Sequence, residues 1–236
     1  MSATQSNDEQ SQNNYNREPA VRATVQEINQ AKDEFKTSEA ERAPSYQLLP
    51  TGASANRVLT AGTLIDVEDV SNADSDGSYM KATISAESGT VYAYAGRYSE
   101  DARAFLEEAE TPQFVAVCGK MDLYPDDEPV EDRRVSLSPE WIQTIDADRR
   151  DEILLDNAVA TIERADGAGV DALVDRADDQ YKFDEDFEDT DFRAGAVEVL
   201  ESLDAFHADE EAEGEEMDDE VEDMVEEMED ADEAAA

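Results

Sequence analysis

Apolar positions change their period several times along the chain. Val21, Val25 and Ile28 recur at helical spacing, which predicts a short helix near Pro19-Gln30. Pro44 and the Pro50-Thr51-Gly52 turn mark a change of regime. From Arg57 the period becomes two. Arg57-Val70 reads as a long strand with a bulge or sharp bend at Gly62. The loop Ser71-Ser78 leads into a second strand, Tyr79-Ala86, and Glu87-Ser88-Gly89 turns it into a third, Thr90-Arg97. Ser99 is then placed to cap a helix with Ala102, Phe105, Leu106 and Ala109 on its apolar side. Pro112 ends that helix, and strands follow at Gln113-Leu123 and Arg133-Leu137, the last running on towards Ile145.

Three meandering strands, a helix and two more strands in about a hundred residues is the order of an OB-fold, a five-stranded barrel with a helix between its third and fourth strands. The expected fold class is therefore mainly β: a single five-stranded OB-fold barrel with flanking helices and disordered acidic tails. The chain divides into a disordered N-terminus (1-17), an N-terminal helix and connector (18-43) and the barrel (44-146). A C-terminal helix packed on the barrel (147-166), an acidic linker with a short helix (167-208) and an acidic tail (209-236) follow. Within the C-terminal helix, Asp148-Ala165, the residues Leu155, Val159 and Ile162 fall at i, i+4 and i+7. The short linker helix is expected at Arg193-Phe206.

Charge changes the picture of the surroundings more than of the fold. Among 236 residues, 63 Asp and Glu face 18 Lys and Arg, a net charge of −45. From Glu201 onward there are 19 acidic residues and no Lys or Arg. Residues 44-145 also carry 18 acidic against 7 basic residues, so the acidity extends to the folded part. Of the basic residues 13 are Arg and 5 are Lys. An evenly acidic, lysine-poor chain is what solvation in concentrated salt favours, and the sequence reads as the cytoplasmic protein of an extreme halophile. With no apolar run of signal-peptide or membrane-span length, no membrane association is expected.

One His (His207) and one Cys (Cys118) cannot form a Cys/His zinc site, a Ser-His-Asp triad with His in a core position or a disulfide. Cys118 alternates with Phe114 and Ala116 and reads as a buried small hydrophobe. Asn72-Ala73-Asp74-Ser75-Asp76-Gly77 resembles the start of a calcium loop, but its twelfth position is Thr83 where a bidentate Glu is required. The glycine run at Gly167-Ala168-Gly169 follows a helix rather than a strand, which removes the dinucleotide reading. No phosphate-binding loop is present, and pairs such as Asp126-Asp127 are chance neighbours in this composition. No enzyme activity and no cofactor are expected.

The second and third strands carry the candidate chemistry. Met80, Ala82 and Ile84 alternate with Tyr79, Lys81 and Thr83; Val91, Ala93 and Ala95 alternate with Tyr92, Tyr94 and Gly96. Alternate side chains face opposite ways, so the aliphatic sets line the barrel and Tyr79, Lys81, Thr83, Tyr92 and Tyr94 share its outer face. On an OB-fold that is where single-stranded nucleic acid lies, its bases stacked on aromatic rings. Arg57, Arg97, Lys120, Tyr124, Arg133 and Arg134 are candidates to border the groove. The alternative is that the tyrosines pack beneath the N- or C-terminal helix. Repulsion by distant carboxylates is slight in concentrated salt, where the Debye length is about 3 Å at 1 M. Tyr181, Phe183, Phe187 and Phe192, interleaved with acids, read as rings anchoring a solvated linker, or as a mimic of single-stranded DNA. Met217, Val221, Met224, Val225 and Met228 form an amphipathic pattern with a Met-rich face, a candidate partner-binding helix set against a plain acidic tail.

The stretch Ser45-Tyr46-Gln47-Leu48-Leu49-Pro50-Thr51-Gly52-Ala53-Ser54-Ala55-Asn56-Arg57-Val58, then Gly62-Thr63-Leu64 and Val67-Glu68, resembles the opening of the haloarchaeal replication protein A (RPA) family, in its small RPA-associated members. Tyr94-Ala95-Gly96, Tyr98, Ala102, Phe105-Leu106, Pro112, Phe114-Val115-Ala116 and Gly119-Lys120 continue the resemblance, which covers roughly residues 18-165. Trp141, in Pro139-Glu140-Trp141-Ile142, departs from the family pattern. The resemblance implies an OB-fold, single-stranded DNA binding in replication and repair, and association with a larger RPA subunit; it supplies no catalytic residues. The alternative function is a protein-interaction adaptor that binds an RPA subunit through the barrel or the tail without contacting DNA itself.

Overall fold

The computed structural model describes residues 18–40, 43–72, 77–124, 134–167, 177, 181 and 191–203. The expected disorder of 1-17, the acid pair Asp126-Asp127 and the tail from 209 onward all lie outside these residues.

Five strands make the barrel: β5 (Arg57–Asp69), β6 (Met80–Ala86), β7 (Gly89–Ala95), β8 (Gln113–Tyr124) and β9 (Arg134–Thr144). They run in the order β5-β6-β7-β9-β8, and β8 returns to pair with β5. The long β5 serves both halves. Its first eight residues pair with β8, and from Thr63 onward it pairs with β6. Such a strand must bend, and a Cβ on Gly62 would stand 2.4 Å from the Ser85 carbonyl oxygen, so only glycine lets β5 and β6 approach there. The irregularity in register falls two residues later, between Leu64 and Asp66, and leaves Ile65 exposed. β7 and β9 close the barrel in parallel at Ala93 and Leu137. The helix α2 (Glu100–Glu108) lies between the third and fourth barrel strands and sends Ala102 and Leu106 into the core. Ser99 stands at its N-cap position, but its side chain makes no capping hydrogen bond. This topology is an OB-fold.

The N-terminal segment departs from its expected form. Val21–Arg22 (β1) adds in parallel to β5, and the helix α1 is confined to Val25–Asn29. Thr24 caps it, accepting from the Glu27 N–H. Backbone pairing with β5 gives β-branched Val21 a better partner than a helical turn would. Val25 and Ile28 enter the barrel core beside the β6–β7 hairpin, where Val25 N donates to Ser88 Oγ at 3.0 Å and Asn29 Nδ2 to Thr90 O at 2.9 Å. A small second sheet, β2 (Asp33–Lys36), β3 (Ser45–Leu48) and β4 (Ser54–Ala55), was not legible in the period of the chain.

The helix α3 (Ala147–Ala165) packs on the barrel with a face other than the expected one. Of the expected set, Leu155 and Val159 are 48% and 40% exposed and Ile162 alone packs inward, whereas Ile153, Leu154, Asn157, Ala158 and Thr161 are buried. Ile153 meets Ala61 and Ala116 on the outside of β5 and β8, and Asn157 Nδ2 donates to Leu59 O at 3.1 Å. Leu154 and Ala158 receive Ala196, Val199 and Leu203 of a helix α4 at residues 192–203. The buried face carries polar residues whose hydrogen bonds go to the barrel and the N-terminal segment, so an apolar period does not reveal it. Its strongest link is Glu27, fully buried, which accepts from Thr161 Oγ1 at 2.8 Å and from Arg164 Nη2 at 2.6 Å.

Candidate nucleic-acid interface

The strand phase places the candidate face. Met80, Ala82, Ile84, Val91, Ala93 and Ala95 are buried in the barrel, as their alternation predicts. Their neighbours point outward, with Lys81 opposite Tyr94 and Thr83 opposite Tyr92 in the β6–β7 register. Tyr79, just before β6, stacks on Tyr94 with ring centres 5.9 Å apart and planes 24° off parallel. Gly96 makes room for this pair, because a Cβ there would lie 2.8 Å from Tyr79 Cδ2.

A groove of about 480 Å³ opens over the stacked rings, lined among others by Asn72, Ser78, Arg97, Tyr98, Ser99 and Ser138. Tyr98 is 87% exposed, and the Arg97 guanidinium lies over its ring at 4.5 Å. Stacking surface below and hydrogen-bonding groups at the rim suit a flat ring with polar edges, such as a nucleobase.

The outer face continues across β9 onto β8. Lys120 pairs in register with Ser138, Asp122 with Ser136, and Tyr124 with Arg134. Ser138 Oγ donates to Asp122 Oδ2. Most arginines elsewhere are tied to a carboxylate: Arg22 to Asp156, Arg103 to Glu107, Arg150 to Asp151, Arg164 to Glu27 and Arg193 to Asp166. Lys120 and Arg134 are held by no carboxylate among the described residues and are exposed. Lys81 is held: its Nζ lies 2.7 Å from Glu68 Oε2 on β5. The hydrogen bond to that carboxylate holds the ammonium above the ordinary lysine value. Asp69, at the end of β5, is held below the usual carboxylate range by hydrogen bonds from the Ser71 side chain and backbone, which fold the chain back at the groove's edge.

The structure thus brings together Tyr79, Lys81, Tyr92, Tyr94 and Arg97, with Lys120, Arg134 and the backbone of Tyr124 farther across the same sheet. Arg57 stands apart. It lies in the half of β5 that pairs with β8, bonded to Glu140 at 3.2 Å, and does not border the groove. Arg133 and the Met217, Val221, Met224, Val225 and Met228 set lie outside the described residues, as do Phe183 and Phe187. α3 lies against β5 and β8 and α1 at the hairpin end, so neither takes the groove side of Tyr79 and Tyr94.

Sequence reasoning missed Tyr98 and Ser138 as groove residues. Tyr98 continues the alternation Tyr92, Tyr94, Gly96 by one more step, the signal that would have found it. It also missed the acids of the face: Glu68 and Asp66 are register partners of Lys81 and Thr83. Tyr181 is an anchoring ring, buried against Leu48 and Ala177, with its hydroxyl accepting from Lys32 N at 3.0 Å and donating to Leu48 O. Among the described residues no group of three or more His, Cys, Asp or Glu is placed to hold a metal ion, and no helix is long and apolar enough to cross a membrane.

Barrel topology and an aromatic groove on its third strand define the chain as an OB-fold protein. No protein-family model matches the sequence, and no curated protein does. Among solved structures it is similar to a chain of a replication protein A heterotrimer bound to ssDNA, at 15% identity and a TM-score of 0.42, over 62% of this chain and 98% of that one. It is also similar to the Stn1–Ten1 complex of S. pombe (9% identity, TM-score 0.37, 46% of this chain and 71% of that one). A mitochondrial single-stranded DNA binding protein of S. cerevisiae gives 12% identity and a TM-score of 0.30, over 38% of this chain and 93% of that one. The assignment of the fold rests on the strand order and register described above.

Proposed function

We propose that this chain binds single-stranded DNA without catalysing a reaction, as an accessory protein of an archaeal RPA system in replication and repair, in the cytoplasm of a halophile. The observation that carries the reading is the Tyr79–Tyr94 pair, stacked and open to a polar-rimmed groove on the outer face of β6 and β7. Bases stack on Tyr79, Tyr92, Tyr94 and Tyr98, while Arg97, Lys120 and Arg134 meet phosphates. Stacking contributes ~1–3 kcal/mol per base and survives concentrated salt, where phosphate contacts lose most of their counterion-release gain. The resemblance to RPA-associated proteins supports a larger RPA subunit as the protein partner. Fluorescence anisotropy with labelled oligo-dT at molar KCl tests the site. A Tyr92→Ala/Tyr94→Ala double variant is expected to bind at least about 30-fold more weakly; undiminished binding removes the site.

A second reading is an adaptor that holds an RPA subunit without touching DNA, favoured by the apolar Leu155 and Val159 exposed on α3. Co-purification with the partner, together with no measurable affinity for oligo-dT, would select it.

A further inference from the structure

Lys81 lies over the Tyr92 ring of β7, and it is already occupied. Its Nζ lies 2.7 Å from Glu68 Oε2 and 5.3 Å from the centre of the Tyr92 ring. The arrangement is built into the sheet, since Glu68 and Lys81 are register partners on β5 and β6. Both side chains reach solvent, Lys81 at 25% and Glu68 at 51% exposure. The exchange therefore needs no opening of the barrel. A carboxylate oxygen and a phosphate oxygen are equivalent acceptors for an ammonium, each anionic and each forming a short charge-assisted hydrogen bond. A phosphate running beside a base on Tyr92 or Tyr94 reaches Lys81 by taking the place that Glu68 holds.

Building on the single-stranded DNA reading above, we propose that Glu68 is a resident stand-in for phosphate: DNA displaces it from Lys81, and the freed carboxylate takes up a monovalent cation. The ions balance across this exchange. A lysine that meets a single-strand phosphate releases about 0.7 of a counterion from the nucleic acid. Here the released Glu68 gathers a cation in return, so the contact adds almost nothing to the salt dependence of binding. Lys81 is charge-paired before and after, and its contact directs the path of the strand more than it raises affinity. A protein built in this way keeps its phosphate contact in concentrated salt because little of that contact's free energy came from counterion release. An ion pair this exposed to solvent is weak, so Glu68 is an easily displaced occupant.

The test compares the salt slopes of oligo-dT affinity, by anisotropy over a KCl series, for the full-length wild-type chain and for Glu68→Gln, Lys81→Gln and the double variant. With Glu68 neutralised, Lys81 meets phosphate without cation uptake, so the Glu68→Gln slope is expected to steepen by about 0.7. Lys81→Gln and the double variant are expected to keep slopes close to the wild-type value, because neither exchanges a charged pair. If the wild-type chain binds and Glu68→Gln leaves the slope unchanged, the exchange is overturned and DNA binding stands. A wild-type chain without affinity for oligo-dT overturns both.

Discussion

Gly96 decides more about the candidate site than its missing side chain suggests. It follows β7 at the point where the Tyr79 ring lies across the chain, and a methyl group there would sit 2.8 Å from the ring. Tyr79 is 40% exposed and can swing outward, so the added methyl is relieved by moving the ring rather than the backbone. Gly62 differs, since its hypothetical Cβ meets a carbonyl oxygen of the adjacent strand, which cannot swing aside. Gly96→Ala is therefore expected to leave thermal stability nearly unchanged while breaking the Tyr79–Tyr94 stack. Loss of one stacking position predicts a roughly 5- to 150-fold drop in oligo-dT affinity. Unfolding curves and anisotropy on the same sample separate the two effects. An unaltered affinity would mean that the stacked pair is packing rather than a platform.

At the scale of elements, the barrel was legible because alternation survives wherever one face of a strand is buried. The five strands and the inward phase of Met80, Ala82, Ile84, Val91, Ala93 and Ala95 follow from a period of two, and the α2 helix from the helical spacing of Ala102, Phe105 and Leu106. The second sheet was not legible: β4 has two residues, β2 and β3 four each, too few for a period to show. α3 was recognised as a helix but turned to the wrong face, because Asn157, Thr161 and Arg150 are buried by hydrogen bonds and ion pairs that hydropathy does not record. Arg57 reads as a groove residue in sequence because register is invisible before pairing is known; it lies six positions before β5 begins to pair with β6. The second sheet is locked by Tyr181, whose hydroxyl bonds Lys32 N, Asp33 N and Leu48 O. Burial pushes the Tyr181 phenol up to about 12 from 10.0, with the backbone hydrogen bonds opposing. The folded state thus holds the phenolic proton more tightly than the unfolded state. Its stabilising effect is complete below pH 10 and is lost as pH rises towards 12, by ~2–3 kcal/mol. Tyr181→Phe is expected to be less stable than wild type at neutral pH, with the gap narrowing over that alkaline interval in denaturant titrations. A gap constant with pH would mean that the hydroxyl is not buried in solution.

The proposed binding of DNA requires a chain of net charge −45 to approach another polyanion. Carboxylates act on DNA in two ways, by a field that reaches over the Debye length and by contact within a few ångströms. The field extends about 10 Å at 0.1 M salt and about 3 Å at 1 M. Glu68, Asp66 and Asp122 stand on the candidate face and are felt at any salt concentration. Residues 204-236 carry 18 acids and no Lys or Arg, and their effect depends on which mechanism carries it. If the tail acts through its field, a chain ending at Leu203 should bind oligo-dT more tightly than the full chain at about 0.1 M KCl and equally at molar KCl. Anisotropy titrations of both chains over the same KCl series check this, with thermal unfolding curves showing that each is folded at each concentration. Convergence at high salt is the expected result, because screening removes a field and leaves short contacts intact. A difference that persists at molar KCl would instead place the tail within contact distance of the tyrosine groove, competing for the same rings and cations as the DNA.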